Sequence, residues 1–163
     1  MVQEFVPDGE TPTPGVVAAW LALDTLRAES VPMWAANWLV QGHDGESLAE
    51  LAGLSGRETR EVRDLLPAAL ADMGVDPLSS RQAALKVAYD HIAHMHLTGR
   101  VRWAWVVNQV VGLVIGNGYS SEAFEQPLGE LWGIDDDLGE PWSRTEDELA
   151  GIVRQACIEQ VRQ

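Results

Sequence analysis

The sequence predicts an all-α protein, folded as a single-domain, irregular bundle of six to eight helices. Two observations lead to this prediction. Ser or Thr followed three residues later by Glu recurs ahead of apolar runs, and that spacing is typical of helix N-termini. The apolar residues that follow are spaced three and four apart, as on one face of a helix. A length of 163 residues suits one domain, and 46% apolar residues can supply its core.

The first 15 residues contain three prolines and end in Pro-Gly, which predicts a flexible N-terminal arm. Residues 16–163 are expected to form the helical domain, with an acidic, loop-rich segment at 119–144. Val16 to Ala28 is apolar around most of its girth and predicts a central first helix. Ser30 is the expected cap of the second helix, which carries Pro32 in its first turn and ends at Gly42.

Two capping boxes predict the next two helices, the first from Ser47 with Glu50 and the second from Ser55 with Glu58. The second of these helices contains Pro67, which lacks a backbone N–H and should kink or split it. A longer helix is expected to begin at residue 79 or 80 and to end near residue 97. A third capping box, at residues 145 and 148, predicts a last helix that ends near residue 161.

The segment from Val101 to Ile115 is rich in residues that favour strands. Its polar residues and glycines nevertheless fall within an arc of about 120° on a helical wheel, and no period-two alternation is present. We therefore expect a buried helix that ends at Asn117-Gly118. The residues of the arc are Arg102, Asn108, Gln109, Gly112 and Gly116. Beyond it, short turns are expected around Pro127 and a loop from residue 133 to residue 143.

The composition indicates a bacterial protein of the cytoplasm. Ten of the 11 basic residues are arginine, as is common in high-GC bacteria, and the N-terminus lacks the basic and apolar regions of a signal peptide. No apolar run is long enough to cross a membrane. The single cysteine, Cys157, lies on the apolar face of the last predicted helix, where a buried and unreactive thiol is expected.

Residues 48–55, LAELAGLS, look like the first helix and turn of bacterial helix-turn-helix regulators. In that family a basic helix that reads DNA follows the turn. Here acidic residues alternate with the arginines, so the second helix is neutral, whereas DNA binding depends on positive charge. A plain helical hairpin is the preferred interpretation, and nucleic acid is not expected as a partner. The residues that the alternative would use are Arg57, Arg60 and Arg63.

A histidine-rich stretch, DHIAHMH at residues 90–96, is the best candidate for a metal site. His91 and His94 lie one turn apart, and Asp90 precedes His94 by four residues, so this side of the predicted helix could present two or three ligands from Asp90, His91 and His94. No second group of ligands at suitable spacing is evident elsewhere in the sequence. We therefore expect no bound zinc or iron and no cofactor. A metal-dependent enzyme built on these residues remains the alternative.

The formal net charge is −14, and most of it lies near the C-terminus. Between Glu122 and Glu148 there are ten acidic residues and one base, Arg144, so this segment carries −9. Tryptophans flanked by carboxylates suit a basic protein partner, with the indole as anchor and the acids for steering. The competing interpretation is that the tryptophans only fill the core. The candidate partner-binding residues are Trp132, Asp135, Asp136, Asp137, Glu140 and Trp142.

No phosphate-binding loop and no nucleophile motif occurs in the sequence. The favoured prediction is therefore a non-catalytic, acidic protein–protein interaction module. Such a protein would be an adaptor or an immunity-type inhibitor of a basic toxin. A metal-dependent enzyme and a transcriptional regulator are the alternatives, and the sequence leaves the oligomeric state open.

Overall fold

The structure is a computed structural model that describes residues 10–137 and 144–163. Within these ranges the secondary structure is entirely helical, which confirms the all-α prediction. Two 3₁₀ helices, Ala28–Ser30 and Pro127–Asp137, accompany eight α-helices in the described chain. The α-helices are α1 Pro14–Ala22, α2 Val31–Val40, α3 Glu46–Ala52, α4 Thr59–Asp72, α5 Arg81–Leu97, α6 Trp103–Gly116, α7 Ser121–Glu125 and α8 Glu146–Arg162.

One contiguous apolar core contains side chains from all eight of these α-helices. The helix α5 is central to the second half of the chain, because it packs against α1, α6, α7 and α8. In the first half, α3 packs between α2 and α4. The ring of Trp20 in α1 links the two halves, since it contacts Trp34 of α2 and His91 of α5 at centroid distances of 5.7 and 5.8 Å.

The first helix is shorter than predicted. It begins after Thr13, whose hydroxyl accepts a hydrogen bond from a backbone N–H of the first turn, and it ends at Ala22 instead of near Ala28. Asp24 adopts a left-handed conformation with φ 56°, and Thr25 N donates to the Trp20 carbonyl. This is a Schellman ending, in which a short polar residue tolerates the positive φ. The pattern of apolar residues continues past Asp24 and gave no sign of this ending.

The predicted N-terminal arm is described only from residue 10 onward. Pro12 is buried, and its carbonyl accepts a 2.9 Å hydrogen bond from the indole N–H of Trp38. Asn37 donates to the hydroxyl of Thr11 at 2.7 Å, and Arg100 pairs with Glu10 at 3.2 Å. Residues 10–13 therefore lie against the helices, and Trp38 has its polar atom satisfied by them.

The second and third helices begin differently from the predicted capping. Ser30 has helical backbone angles and makes no side-chain cap, because a 3₁₀ turn leads directly into α2. The predicted box of Ser47 with Glu50 is also wrong, since α3 starts after Gly45 without a cap from its own side chains. Asp72, at the end of α4, instead accepts hydrogen bonds from the N–H groups of Ser47 and Leu48 at 2.9 and 3.2 Å.

The fourth helix is continuous, although a kink or break was expected at Pro67. The helix runs through this residue from Thr59 to Asp72, and Pro67 itself is exposed. A solvent-facing proline leaves the carbonyl one turn earlier free to bond water. The predicted box at Ser55 forms in part, because Glu58 accepts a 2.7 Å hydrogen bond from Ser55 N.

The sixth helix spans Trp103–Gly116 and is mostly buried, as the polar arc predicted. Two members of that arc are nevertheless inside, because Gln109 is 1% exposed and Gly112 is buried. The Oε1 atom of Gln109 has no hydrogen-bond partner among the described residues. Arg102 and Asn108 are on the exposed side, together with the apolar Ile115. The arc therefore predicted the helix correctly, but it grouped buried residues with exposed ones.

Candidate interaction surface

The second 3₁₀ helix, Pro127–Asp137, organises the most distinctive surface of the described chain. Residues three apart share a face in a 3₁₀ helix, and Leu128, Leu131 and Ile134 all point into the core. Trp132 lies on a different face and is half-buried. The predicted loop was expected to begin at residue 133, but the helix continues to Asp137. One face of the 3₁₀ helix is therefore buried in the core, and the face that carries Trp132 is partly exposed to solvent.

Three aromatic rings meet on that second face, and we call Tyr119, Phe124 and Trp132 the aromatic cluster. Tyr119 contacts Trp132 at a centroid distance of 5.3 Å, and Phe124 contacts Trp132 at 6.4 Å. Both neighbouring rings stand at 83° to the indole plane. Tyr119 is 56% exposed and Phe124 36% exposed. Large aromatic rings are normally buried, so this cluster is an exposed apolar feature.

The backbone places Tyr119 in the cluster at a cost. Gly118 and Tyr119 both have left-handed φ values, 63° and 58°. Tyr119 N donates to the Val114 carbonyl and Gly118 N to the Ile115 carbonyl, which is the Schellman ending of α6. Glycine adopts this conformation freely, but a tyrosine in it costs about 1–2 kcal/mol.

Buried hydrogen bonds anchor the base of the cluster to the core. The hydroxyl of Tyr89 in α5 donates to the Ala123 carbonyl at 2.9 Å. Gln160 of α8 is fully buried; its Nε2 donates to Asp90 Oδ1 and Gln126 Oε1 at 2.9 Å, and its Oε1 accepts from Leu128 N at 3.3 Å. These bonds attach the end of α7, at Ala123 and Gln126, and the start of the 3₁₀ helix, at Leu128, to α5 and α8.

Gly129 brings α7 and the 3₁₀ helix into close contact. A Cβ atom at this position would collide with the carbonyl oxygen of Ala123 and crowd the Cα atom of Phe124. Any larger residue would therefore push the two segments apart. Only glycine fits here, because the buried backbone of residue 129 leaves no room for a side chain beside Ala123 and Phe124.

The charge around the cluster is acidic. From Trp103 to Ser143 the sequence contains no Lys, Arg or His, whereas acidic residues occur at seven positions. Glu125 and Glu130 are exposed, and Glu122 is half-buried. The segment that carries the cluster therefore supplies negative charge and no positive charge of its own.

The six candidate partner-binding residues fall into three groups in the structure. Trp132 is partly exposed and belongs to the cluster, while it also packs against the core. Asp135, Asp136 and Asp137 form the last turn of the 3₁₀ helix. Glu140 and Trp142 lie outside the described residues. Tyr119 and Phe124 were missed, because no local sequence pattern indicates that their rings contact Trp132.

Two of the three candidate metal ligands make other contacts in the structure. Asp90 accepts from Lys86 Nζ at 2.7 Å with one oxygen and from Gln160 with the other. His91 is half-buried, with its ring against Trp20. His94 is exposed. Among the described residues no group of three or more acidic, histidine or cysteine side chains could hold a metal ion.

The three candidate DNA-contacting arginines are all exposed on or just before α4. Arg63 is engaged within the chain, since it donates to the Leu26 carbonyl at 3.3 Å and lies 3.5 Å from Asp24 Oδ1. Six residues separate α3 from α4, from Gly53 to Glu58, which is longer than the turn of a helix-turn-helix unit. Arg57 and Arg60 alternate with exposed acids, so this face is electrically neutral.

Among the cavities of the described residues, two lie outside the aromatic cluster. A groove of about 430 Å³ runs between the 3₁₀ helix and α8 and is lined by Glu130, Ile134, Ile152 and Glu159, among others. A smaller, mostly apolar cleft of about 220 Å³ lies between α1 and α4, with Leu21 and Leu70 in its wall. The lining residues of these two cavities include no serine, threonine, cysteine or histidine.

Burial makes the only thiol of the chain unreactive. Cys157 is fully buried in α8, and this burial raises its pKa from 9.0 to about 12, against a lowering effect of Arg154. A nucleophilic cysteine needs a lowered pKa and access to solvent. Burial also raises the pKa of Tyr89 above its usual range. These two shifts are consistent with structural positions in the core.

Comparison with known proteins finds no matching family model, no matching curated protein and no matching solved structure. Within the described residues, no helix combines the length and the apolar character that crossing a bilayer requires. The functional argument therefore rests on the residues of the surface itself.

Proposed function

We propose that this protein is a non-catalytic interaction module that binds a basic protein partner through the aromatic cluster and the acids around it. The observation that supports the proposal most directly is an exposed group of three aromatic rings on a segment with seven acidic residues and no base. Aromatic residues are enriched at binding hot spots, and acidic surroundings select a partner of opposite charge.

The anchoring of the cluster also suits a binding surface. Gln160 and Tyr89 fix α7 and the 3₁₀ helix to the core, so the rings are held in place before a partner arrives. A surface that is already ordered loses little conformational entropy on binding. An adaptor and an immunity-type inhibitor of a basic toxin both fit this description. A neighbouring gene for a secreted toxin would favour the inhibitor.

The contribution of charge can be tested by neutralising Asp135, Asp136 and Asp137 to Asn. A partner is first captured on the immobilised protein, and its association rate is then measured over a salt series. We expect slower association and a shallower salt dependence, because electrostatic steering by carboxylates is screened over about 8 Å at physiological salt.

A control variant should remove the same charge elsewhere. Glu50, Glu61 and Asp64 are exposed on α3 and α4, and their neutralisation to Gln, Gln and Asn leaves the acidic segment intact. We expect it to affect association less than the Asp135–Asp137 variant. Unchanged association and salt dependence in the Asp135–Asp137 variant would argue against the acidic segment as the docking surface.

A further inference from the structure

We propose that the aromatic cluster is a cation seat, which binds the guanidinium group of an arginine presented by the basic partner. This inference rests on the proposed function and gives its surface a specific ligand. The cluster consists of Tyr119, Phe124 and Trp132, and its three side chains come from the end of α6, from α7 and from the 3₁₀ helix.

The ring geometry favours a cation. Aromatic faces carry negative charge density, and a cation within about 6 Å of a ring centroid is attracted to them. Tyr119 and Phe124 both stand at 83° to the Trp132 ring. Rings that meet at right angles can form adjoining walls of a pocket, and we infer that a cation seated where they meet contacts the face of one ring and the edge region of the next.

The exposure of the rings leaves them accessible. Tyr119 and Phe124 retain 56% and 36% of their surface in contact with solvent. A cluster that served only the core would be expected to bury these rings, since burial of aromatic surface is stabilising. The left-handed backbone of Tyr119 adds a conformational cost to that of the exposed ring. Strained residues of this kind cluster at ligand-binding sites.

The acidic residues of the segment that carries the cluster favour a cation over an anion. Glu125 is exposed on α7 beside Phe124, and Glu122 lies one turn earlier. A carboxylate next to an aromatic face can bond the N–H groups of a guanidinium while the ring contacts its plane. Arginine fits better than lysine, because its planar and weakly hydrated head stacks on aromatic rings.

The test uses three short synthetic peptides of one sequence, which carry arginine, lysine or neutral citrulline at the same positions. Binding is measured by titration calorimetry against the full chain and two variants, Tyr119→Asn and Phe124→Ala. Asparagine accepts a left-handed backbone, so Tyr119→Asn removes the ring without adding strain. Met33→Ala is the control, because Met33 is an apolar residue on α2 with 72% exposure. Thermal unfolding verifies that each variant is folded.

We expect the arginine peptide to bind most tightly and the citrulline peptide not at all. Each ring variant should weaken arginine-peptide binding by about two- to five-fold, the size of an exposed cation–π contact. Neither variant changes a charge, so the dependence of affinity on salt should be preserved. The Met33→Ala variant should bind as the unaltered protein does.

The outcomes separate this inference from the proposed function. If both basic peptides bind with a clear salt dependence but the ring variants bind as tightly as the unaltered protein, the cation seat is refuted and the acidic docking surface stands. Equal binding of the lysine and arginine peptides would overturn the preference for guanidinium. If neither basic peptide binds, both proposals fail.

Discussion

Gln160 is the polar residue on which the position of the interaction surface depends. Its amide bonds to Asp90, Gln126 and the backbone of the 3₁₀ helix, and it is fully buried. Replacement by leucine keeps the approximate volume but leaves these groups without their partner. Each unsatisfied buried group costs about 1–3 kcal/mol, so we expect Gln160→Leu to lower the free energy of unfolding by about 2–4 kcal/mol. Urea titration measures it.

A matched substitution is available on α5, where Gln82 is exposed. Gln82→Leu introduces the same side chain into a helix without disturbing a buried network, and its effect should stay within about 0.5 kcal/mol. A loss of stability for Gln160→Leu no larger than for Gln82→Leu would show that the network is not important for the fold.

Individual residues were the hardest features to predict from the sequence. Trp132 could be selected because it is aromatic and lies next to acids, but its neighbours could not, since Tyr119 is brought to it by a left-handed turn at the end of α6. The burial of Gln160 is not indicated by its residue type, because glutamine is usually exposed. Its burial follows from three partners that are distant in sequence, and no local pattern indicates such contacts.

At the scale of elements, Asp72 shows how one helix can cap another. It ends α4, and its carboxylate accepts the N–H groups of Ser47 and Leu48 in the first turn of α3. The loss of a cap typically costs about 1 kcal/mol, so we expect Asp72→Ala to destabilise the protein by that amount. Asp64→Ala on the same helix is the control, because Asp64 is exposed. Thermal unfolding measures the stability of both variants. An equal loss of stability in the two would contradict the capping role of Asp72.

The same example explains which elements could be predicted. The helices α5 and α8 begin with caps from their own sequence, Ser80 and Thr145, and both were placed correctly. The helix α3 was placed correctly, but its cap was not, because the capping residue comes from 25 positions away. Local capping can be recognised in a sequence, whereas capping between helices depends on how they pack. The 3₁₀ continuation to Asp137 was missed because Gly133 and three consecutive aspartates are poor helix formers and favour a loop.

At the scale of the whole molecule, two buried acidic groups link stability to high pH. Burial raises the pKa of Cys157 from 9.0 to about 12 and moves the pKa of Tyr89 in the same direction. The folded state therefore holds these protons more tightly than the unfolded state does. The stability that these groups contribute to the folded state is fully present below about pH 9 and is lost as the pH rises toward 12.

We therefore expect Cys157→Ala to make the free energy of unfolding less dependent on pH above 9 than it is in the unaltered protein. The substitution should leave the pH dependence below 9 unchanged, because the thiol is protonated in both states there. Urea titrations over a pH series measure both ranges. Identical pH dependence of the two proteins above pH 9 would mean that the thiol titrates in the folded state as it does in the unfolded one.

The left-handed Tyr119 has a consequence for how this protein responds to selection. Glycine or asparagine in its place would relieve the backbone and remove a half-exposed ring. A library screened only for heat resistance should therefore enrich these replacements, whereas a library screened for partner binding should retain the aromatic residue. Different preferred residues at position 119 in the two screens would show that this position lowers the stability of the fold in order to bind a partner.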